Sequence, residues 1–244
     1  MTDEDLSYDA FLGGKLHLWQ PAQGYRAGVD PVFLAASVNA IPGQSVLDLG
    51  CGVGTAALCL GARVPDLLLQ GVERQAFYAD LAGRNGLETE CADLLAMPLD
   101  LRQRQFDHVI ANPPYFDRAA SVSATDEGRE EAIGQDTALR DWVRTAAKRL
   151  KPKGYAHFIH RVERLPELMA AANEVLGSIH VLPLVPRVGR SAELVILRAR
   201  KEGRAAFKLF SPLILHSGER HVTDRESYTP DIKAVLRDGA PLRF

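Results

Sequence analysis

The sequence is poor in the features that mark secreted or membrane-embedded proteins. It has only three cysteines, Cys51, Cys59 and Cys91, with no CxxC pair, and no run approaches the roughly 18 consecutive apolar residues of a membrane span. The acidic N-terminal sequence MTDEDLSYDA lacks the basic region of a signal peptide. These absences exclude a disulfide scaffold and predict a cytoplasmic protein with no membrane partner.

Internal repeats, low-complexity runs and linkers rich in Gly, Ser and Pro are also missing from the 244 residues. The composition, with 46% hydrophobic and 25% charged residues, is ordinary for a globular protein. We therefore expect residues 1–244 to form a single domain.

The net charge of −2 hides an uneven distribution. Residues 1–139 carry 9 Lys and Arg against 20 Asp and Glu, a net of −11, whereas residues 140–244 carry 20 against 11, a net of +9. Clustered basic side chains bind nucleic-acid phosphates by releasing counterions, although solvated helix faces are the alternative. The candidates for phosphate contact form two sets: Arg140, Arg144, Lys148, Arg149, Lys151 and Lys153, then Arg187, Arg190, Arg198, Arg200, Lys201 and Arg204.

Apolar runs and helical patterns alternate along most of the chain. The pattern predicts strands at 45–50, 67–73, 88–91, 106–112 and 155–160, with helices at 55–63, 75–85, 136–150 and 165–176. Two further apolar runs, 179–185 and 193–199, have no helix-length spacer between them. We therefore predict an α/β fold with a doubly wound, mostly parallel, seven-stranded sheet and an antiparallel pair at one edge. Residues 116–135 lack periodicity and are predicted to form a substrate-side loop.

A glycine-rich turn follows the first predicted strand of the sheet. Gly50, Gly52 and Gly54 allow the backbone to turn tightly and to approach a ligand closely. Asp48, two residues before Gly50, would repel a pyrophosphate but attract a cationic amino-acid group. The turn also fits the dinucleotide pattern GxGxxA, but Asp48 favours S-adenosylmethionine over NAD.

Two more acidic residues follow the next strands along the chain. Glu73 ends the second strand, 23 residues after Gly50, where a carboxylate accepts hydrogen bonds from both ribose hydroxyls of an adenosine. Asp93 follows the third strand and is expected to meet the adenine edge. The alternatives are that the glycines only form a tight turn and that both acids only cap surface helices.

The tetrapeptide Asn112-Pro113-Pro114-Tyr115 follows the strand expected to lie beside the glycine-bearing one. The two prolines stiffen the turn, and the Asn112 amide oxygen and the Pro113 carbonyl can then accept both hydrogens of a planar NH2 group. Tyr115 can stack on the flat group that carries this amine. The alternative is a rigid loop with an exposed tyrosine. His157 and His160 are three apart on a predicted strand and so lie on opposite faces, which does not suit a metal site, and no metal is predicted.

The two motifs together resemble class I S-adenosylmethionine-dependent methyltransferases that act on amino nitrogens, a group that includes adenine N6 and glutamine N5 enzymes. Residues 23–36 and 228–238 are similar to the bacterial family that makes N6-methyladenosine at position 37 of valine tRNA. Ala27, where that family commonly has a bulky residue, and residues 239–244 depart from its pattern.

This resemblance implies a Rossmann-like methyltransferase domain with an N-terminal segment, about 1–42, that encloses cofactor and target, and a C-terminal extension, about 204–244. It gives Arg26 and Asp30 roles in the cofactor site, although Asp30 could instead be the N-cap of a helix with Pro31 in its first turn. S-adenosylmethionine would be the cofactor, S-adenosylhomocysteine the product and tRNA the substrate, with no obligate protein partner.

Two other functions stay open at this point. One is N5-methylation of a glutamine in a translation factor or ribosomal protein, because the Asn-Pro-Pro-Tyr geometry accepts any planar amine or amide. The other is a non-catalytic RNA-binding module that binds S-adenosylmethionine.

Overall fold

The computed structural model describes residues 5–115, 137–218 and 227–244. The strands in these ranges are β1 (Leu6–Phe11), β2 (Leu16–Pro21), β3 (Ser45–Leu49), β4 (Leu68–Glu73), β5 (Thr89–Cys91), β6 (Phe106–Ala111), β7 (Leu150–Arg161), β8 (Gly177–Val185), β9 (Leu194–Arg200), β10 (Lys208–Leu209) and β11 (Leu213–Ile214). The helices are α1 (Asp30–Ser37), α2 (Thr55–Arg63), α3 (Ala76–Arg84), α4 (Leu99–Gln103), α5 (Leu139–Arg149), α6 (Leu165–Val175) and α7 (Pro230–Lys233), and a π-helical turn (Ala234–Asp238) follows α7.

The main sheet has the strand order β10-β8-β9-β7-β6-β3-β4-β5, and β11 also pairs with β8. Strands β3 to β7 are parallel to one another, whereas β9 runs antiparallel to both β7 and β8. The predicted doubly wound sheet with an antiparallel edge pair is therefore confirmed. The two-residue strands β10 and β11, which extend the β8 edge, are too short to leave a periodic signal in the sequence.

Helices cover both faces of the sheet, which explains why its central strands are almost continuously apolar. On one face, α5 and α6 bury Trp142, Val143 and Leu168 against β6, β7 and β9. On the other face, α1 and α2 pack with the C-terminal residues Ile232 and Val235. The hydrophobic stripes of these helices therefore hold the sheet between two cores.

The hairpin of β1 and β2 is absent from the sequence-based prediction. Its strands pair over six positions, from Leu6 opposite Pro21 to Phe11 opposite Leu16. The turn between them includes Gly13, which has a φ of +66° and whose added Cβ would lie 2.6 Å from the carbonyl oxygen of Arg237. Contacts with residues more than 200 positions away along the chain thus fix this turn. A local sequence pattern does not predict such contacts.

Among the described residues, no helix has the length and apolar character required to cross a membrane. The predicted substrate-side loop at 116–135 lies outside the described residues. The single-domain organisation and the bounds of the N-terminal segment and C-terminal extension stay predictions.

Candidate active site

The glycine turn and the Asn-Pro-Pro-Tyr loop meet at one edge of the sheet. Because β3 and β6 are parallel neighbours, with Leu49 opposite Ala111, the residues after both strands emerge side by side. Together with the N-terminal segment they line a cleft that is open to solvent. Its lining residues are Gln20, Tyr25, Ala27, Pro31, Asp48, Gly50, Cys51, Gly52, Val53, Thr55, Ala56 and Asn112.

The three glycines of the turn all have positive φ, but they are needed for different reasons. A Cβ on Gly50 would lie 2.5 Å from the Trp142 ring, and a Cβ on Gly54 would lie 3.1 Å from Leu58. A Cβ on Gly52 would meet no protein atom of the described residues within 4 Å. Gly50 and Gly54 therefore serve packing, whereas Gly52 leaves open space at the cleft wall, as a closely bound ligand requires.

Asp48 places a carboxyl group in the wall of the cleft, with only 3% of the residue exposed. Its Oδ2 accepts a hydrogen bond from the Ala57 N–H, 3.2 Å away in the first turn of α2. Burial raises the pKa of Asp48 to about 8, against the lowering effect of the Ala57 hydrogen bond, and the nearby Glu73 charge adds to the rise. A carboxylate that is this poorly solvated is stabilised by a cationic ligand group.

Glu73 ends β4 and braces the glycine turn. Its Oε2 accepts a hydrogen bond from the Gly52 N–H at 3.0 Å, and its Oε1 accepts one from the Gln75 N–H at 2.9 Å. Each carboxylate oxygen retains a further lone pair, so ribose binding is compatible with this arrangement. Asp93, after β5, accepts a hydrogen bond from the Leu95 N–H at 2.8 Å and closes a turn. The predicted contacts of Glu73 with ribose and of Asp93 with adenine stay predictions.

Asn112 supplies the most informative atom of the cleft. Its Oδ1 is buried and has no hydrogen-bond partner among the described residues, and the same holds for Oγ1 of Thr55. A buried acceptor without a donor costs roughly 1–3 kcal/mol of folding free energy. A ligand that donates a hydrogen bond to this acceptor removes the cost when it binds. Asn112 therefore offers an acceptor to an N–H group that enters the cleft.

Tyr115 ends the loop and is held from two sides. Its hydroxyl donates a hydrogen bond to Oδ2 of Asp30, 2.5 Å away. Its ring centroid lies 5.2 Å from that of His160, and the Arg161 guanidinium lies 5.7 Å from its centre. Burial raises the pKa of Tyr115, and the Asp30 charge raises it further, so the phenol stays protonated. The ring is thus fixed beside the cleft.

The structure revises the interpretation of Asp30. It is the first residue of α1, Val29 occupies the N-cap position, and no side chain in the described part of the chain caps this helix. The alternative that Asp30 is the N-cap is therefore wrong, because its carboxylate is directed to the Tyr115 hydroxyl instead. Its predicted contact with the cofactor stays a prediction.

Arg26 and Gln20 organise the segment that covers the cleft. Arg26 forms a 2.6 Å ion pair with Asp9, which also accepts a hydrogen bond from the Gln20 amide at 2.7 Å. The Gln20 amide oxygen in turn accepts the Ala27 N–H at 2.7 Å. Arg26 thus braces this segment, and its predicted contact with the cofactor stays a prediction. Sequence reasoning missed Gln20 as a cleft residue because it did not detect the hairpin, and it did not single out Tyr25 within residues 23–36.

Many of the basic residues after position 139 are engaged within the protein. Arg140 and Arg144 both bind Glu174, at 3.0 and 3.2 Å, and Lys151 binds Asp107 at 2.8 Å. Others bind backbone carbonyls, side chains or a ring nitrogen, namely Arg149, Arg187, Arg198, Arg200 and Lys201. Arg140 is exposed although it is paired with Glu174, and Lys148, Lys153, Arg190 and Arg204 are exposed as well.

With this fold and cleft, residues 30–182 match the family model described as the methyltransferase small domain. The chain belongs to the methyltransferase small-domain family, and the predicted class, an S-adenosylmethionine-dependent methyltransferase, is confirmed.

Similar proteins extend over most of the chain. A protein of Actinobacillus succinogenes named tRNA1(Val) (adenine(37)-N6)-methyltransferase is 27% identical over 225 residues, which cover 88% of this chain and 92% of that protein. A protein of the same name from Porphyromonas gingivalis is 30% identical over 176 residues, covering 66% of this chain and 68% of that protein. The crystal structure of a predicted O-methyltransferase from Agrobacterium tumefaciens superimposes with a TM-score of 0.71 at 25% identity, covering 87% of this chain and 98% of that one.

Proposed function

We propose that the protein transfers the methyl group of S-adenosylmethionine to the exocyclic N6 of an adenine in tRNA, at position 37 of valine tRNA, and releases S-adenosylhomocysteine. The observation that carries the proposal is the buried Oδ1 of Asn112, which has no hydrogen-bond partner among the described residues, in a cleft that also contains Gly52 and Asp48. The names of the relatives support the choice of nucleic acid, base and position.

In this proposal the Asn-Pro-Pro-Tyr loop orients the target amine. Asn112 Oδ1 and the Pro113 carbonyl accept the two N–H groups of the adenine, which directs the nitrogen lone pair toward the cofactor side of the cleft. Tyr115, held by Asp30, stacks on the purine ring. No general base is required, since the proton leaves after the nitrogen has gained its fourth bond.

The residues of the glycine turn would hold the cofactor, which supplies an electrophilic methyl group when bound. Asp48 receives its α-ammonium group, and the open space at Gly52 allows the backbone to contact it closely. Glu73 and Asp93 bind the ribose hydroxyls and the adenine edge, and Arg26 and Asp30 hold the covering segment in place. The absence of a metal requirement stays a prediction.

A tRNA substrate needs contacts outside the cleft as well. We assign phosphate contacts to the exposed basic residues Lys148, Lys153, Arg190 and Arg204. Their contribution would weaken steeply with rising salt. The expected location of the protein is the cytoplasm, where such a substrate is found, and no obligate protein partner is proposed.

The test is transfer of labelled methyl from S-adenosylmethionine into tRNA and protein fractions of cells that lack this protein, followed by nucleoside and amino-acid analysis. We expect label in tRNA as N6-methyladenosine. Label in protein as N5-methylglutamine would keep the roles of the motifs but replace the substrate.

A matched variant separates the enzyme from the non-catalytic alternative. We expect Asn112→Ala to lose turnover while it retains binding of S-adenosylhomocysteine, because the cofactor residues are unchanged. A wild-type protein that binds tRNA without turnover, and an Asn112→Ala variant that loses RNA affinity, would favour a binding module instead.

A further inference from the structure

His160 lies at the point where the sheet supports the Asn-Pro-Pro-Tyr loop. Strand β7 is parallel to β6, with Phe158 opposite Ala111, and it continues past the end of β6 to Arg161. His160 therefore stands beside the residues that follow β6. It is 1% exposed, and its ring centroid lies 5.2 Å from that of Tyr115 at an interplanar angle of 58°.

The surroundings of His160 determine which of its ring nitrogens carries the proton. The Arg161 N–H donates a hydrogen bond to Nδ1 over 2.8 Å, so the proton of the neutral ring is on Nε2. The backbone of Pro114 also hydrogen-bonds to this imidazole. Because a proline backbone has only a carbonyl to offer, the Nε2–H group donates to the Pro114 oxygen.

The charge state of the ring agrees with this arrangement. Burial lowers the pKa of His160 to about 4, and the Arg164 charge lowers it further, against the raising effects of the Glu167 charge and of the hydrogen bond with Pro114. The imidazole is therefore neutral near pH 7 and has a single N–H group. That N–H group donates its hydrogen bond to the Pro114 carbonyl of the loop.

We propose that His160 is a positioning residue, which holds the Pro114 carbonyl and the Tyr115 ring so that Asn112 and Pro113 face the target amine. With the Pro114 carbonyl engaged by the protein, the acceptors left to the substrate are the Asn112 Oδ1 and the Pro113 carbonyl. The inference rests on the proposed function of this loop. It adds a residue that the sequence analysis did not include in the site.

Two substitutions separate the hydrogen bond of His160 from its ring contact with Tyr115. His160→Phe keeps a ring against Tyr115 but removes the N–H donor, and His160→Gln keeps an amide N–H near the position of Nε2 but removes the ring. Misplacing reacting groups by about 1 Å costs up to about 100-fold in rate, so we expect a 10- to 100-fold lower kcat for His160→Phe. We expect a smaller loss for His160→Gln, and an unchanged KM for S-adenosylmethionine in both variants.

His157 provides the matched control on the same strand. It is equally buried, at 1% exposure, but it faces the other side of the sheet, where Oγ of Ser37 lies 3.5 Å from its Nδ1. We expect His157→Gln to lower the thermal midpoint and to leave kcat per folded molecule unchanged. Equal kcat losses in His157→Gln and His160→Phe, or a wild-type kcat in His160→Phe, would overturn the proposal.

The assay uses whichever fraction, tRNA or protein, the wild-type protein labels, so a wrong choice of substrate does not decide the role of His160. Nitrogen-15 NMR of histidine-labelled protein gives a second readout that is independent of turnover. We expect the Nε2–H form for His160 in the wild-type protein. An Nδ1–H form would overturn the inference even if tRNA methylation is confirmed, whereas an Nε2–H form in a protein that does not methylate tRNA would contradict only the proposed function.

Discussion

Binding of the cofactor should be coupled to the ionisation of Asp48. In the ligand-free protein its pKa is about 8, because the carboxyl group is buried beside the glycine turn. A cationic α-ammonium group pairs with the carboxylate and not with the neutral acid. Binding at neutral pH must therefore drive the proton off Asp48, and this requirement gives the affinity a pH dependence that can be calculated.

The magnitude follows from the titration of one group. With a pKa of about 8, about one Asp48 carboxyl in eleven is ionised at pH 7 and about one in a hundred at pH 6. The association constant of S-adenosylhomocysteine should thus rise about ninefold from pH 6 to pH 7. The ligand's own α-amino group, with an ordinary pKa of about 7.7–8.0, limits the rise near pH 8.

Isothermal titration calorimetry in buffers of different ionisation enthalpy measures both the affinity and the protons released. We expect release of nearly one proton at pH 7 for the wild-type protein and none for Asp48→Asn. The analogue 5′-methylthioadenosine lacks the amino-acid part, so its affinity should be flat over this pH range. The reasoning is refuted if the wild-type protein and Asp48→Asn have the same pH profile, or if the two ligands do.

The remaining predictions concern the glycine turn, the tyrosine and the buried histidines. Gly50→Ala should lower the thermal midpoint far more than Gly52→Ala, since only the former forces a Cβ into a tryptophan of α5, while Gly52→Ala should weaken binding of S-adenosylhomocysteine in calorimetry. Tyr115→Phe should cost about 1 kcal/mol of unfolding free energy in urea denaturation by losing its hydrogen bond. Burial lowers the pKa values of His108 and His157 below 6.5, so the unfolded chain binds more protons than the folded protein in mild acid. The urea midpoint should therefore fall as the pH drops from about 6.5 toward 4. A flat midpoint would contradict this.

The contribution of Asp48 to the pH dependence of folding stability is opposite in sign to that of the histidines. It therefore gives an independent check on the raised pKa of Asp48. Its folded-state pKa is raised above the ordinary value of 3.8, so folding of the ligand-free protein becomes less favourable as the pH rises from about 4 to 8. Asp48→Asn removes this cost. The variant should gain stability relative to the wild-type protein over this range while it loses affinity for the cofactor.

The sheet and its two motifs were predictable because each rests on local signals. Helix α2 begins at Thr55 directly after the glycine turn, and β6 ends just before Asn112, where two prolines interrupt the pattern. Parallel strands place such turns at one edge, so the meeting of the Asp48 and Asn112 segments follows from strand order alone.

The parts that were missed depend on contacts between distant residues. Gln20 lines the cleft only because β1 and β2 form a hairpin whose turn is fixed by the C-terminal π-helical turn. Asp30 and Tyr115 are 85 residues apart, and the sequence does not show that they share a hydrogen bond. Likewise, the pattern around His160 indicated a buried strand residue but not which loop its ring supports.

The central claim is tested most directly by mapping the methyl group on a defined RNA. Unmodified valine tRNA is incubated with the protein and S-adenosylmethionine, digested, and its fragments are sequenced by mass spectrometry. The account predicts one methyl group on the adenine at position 37, and none on the same tRNA with guanine there. Methylation at another base, or equal methylation of both RNAs, would contradict it.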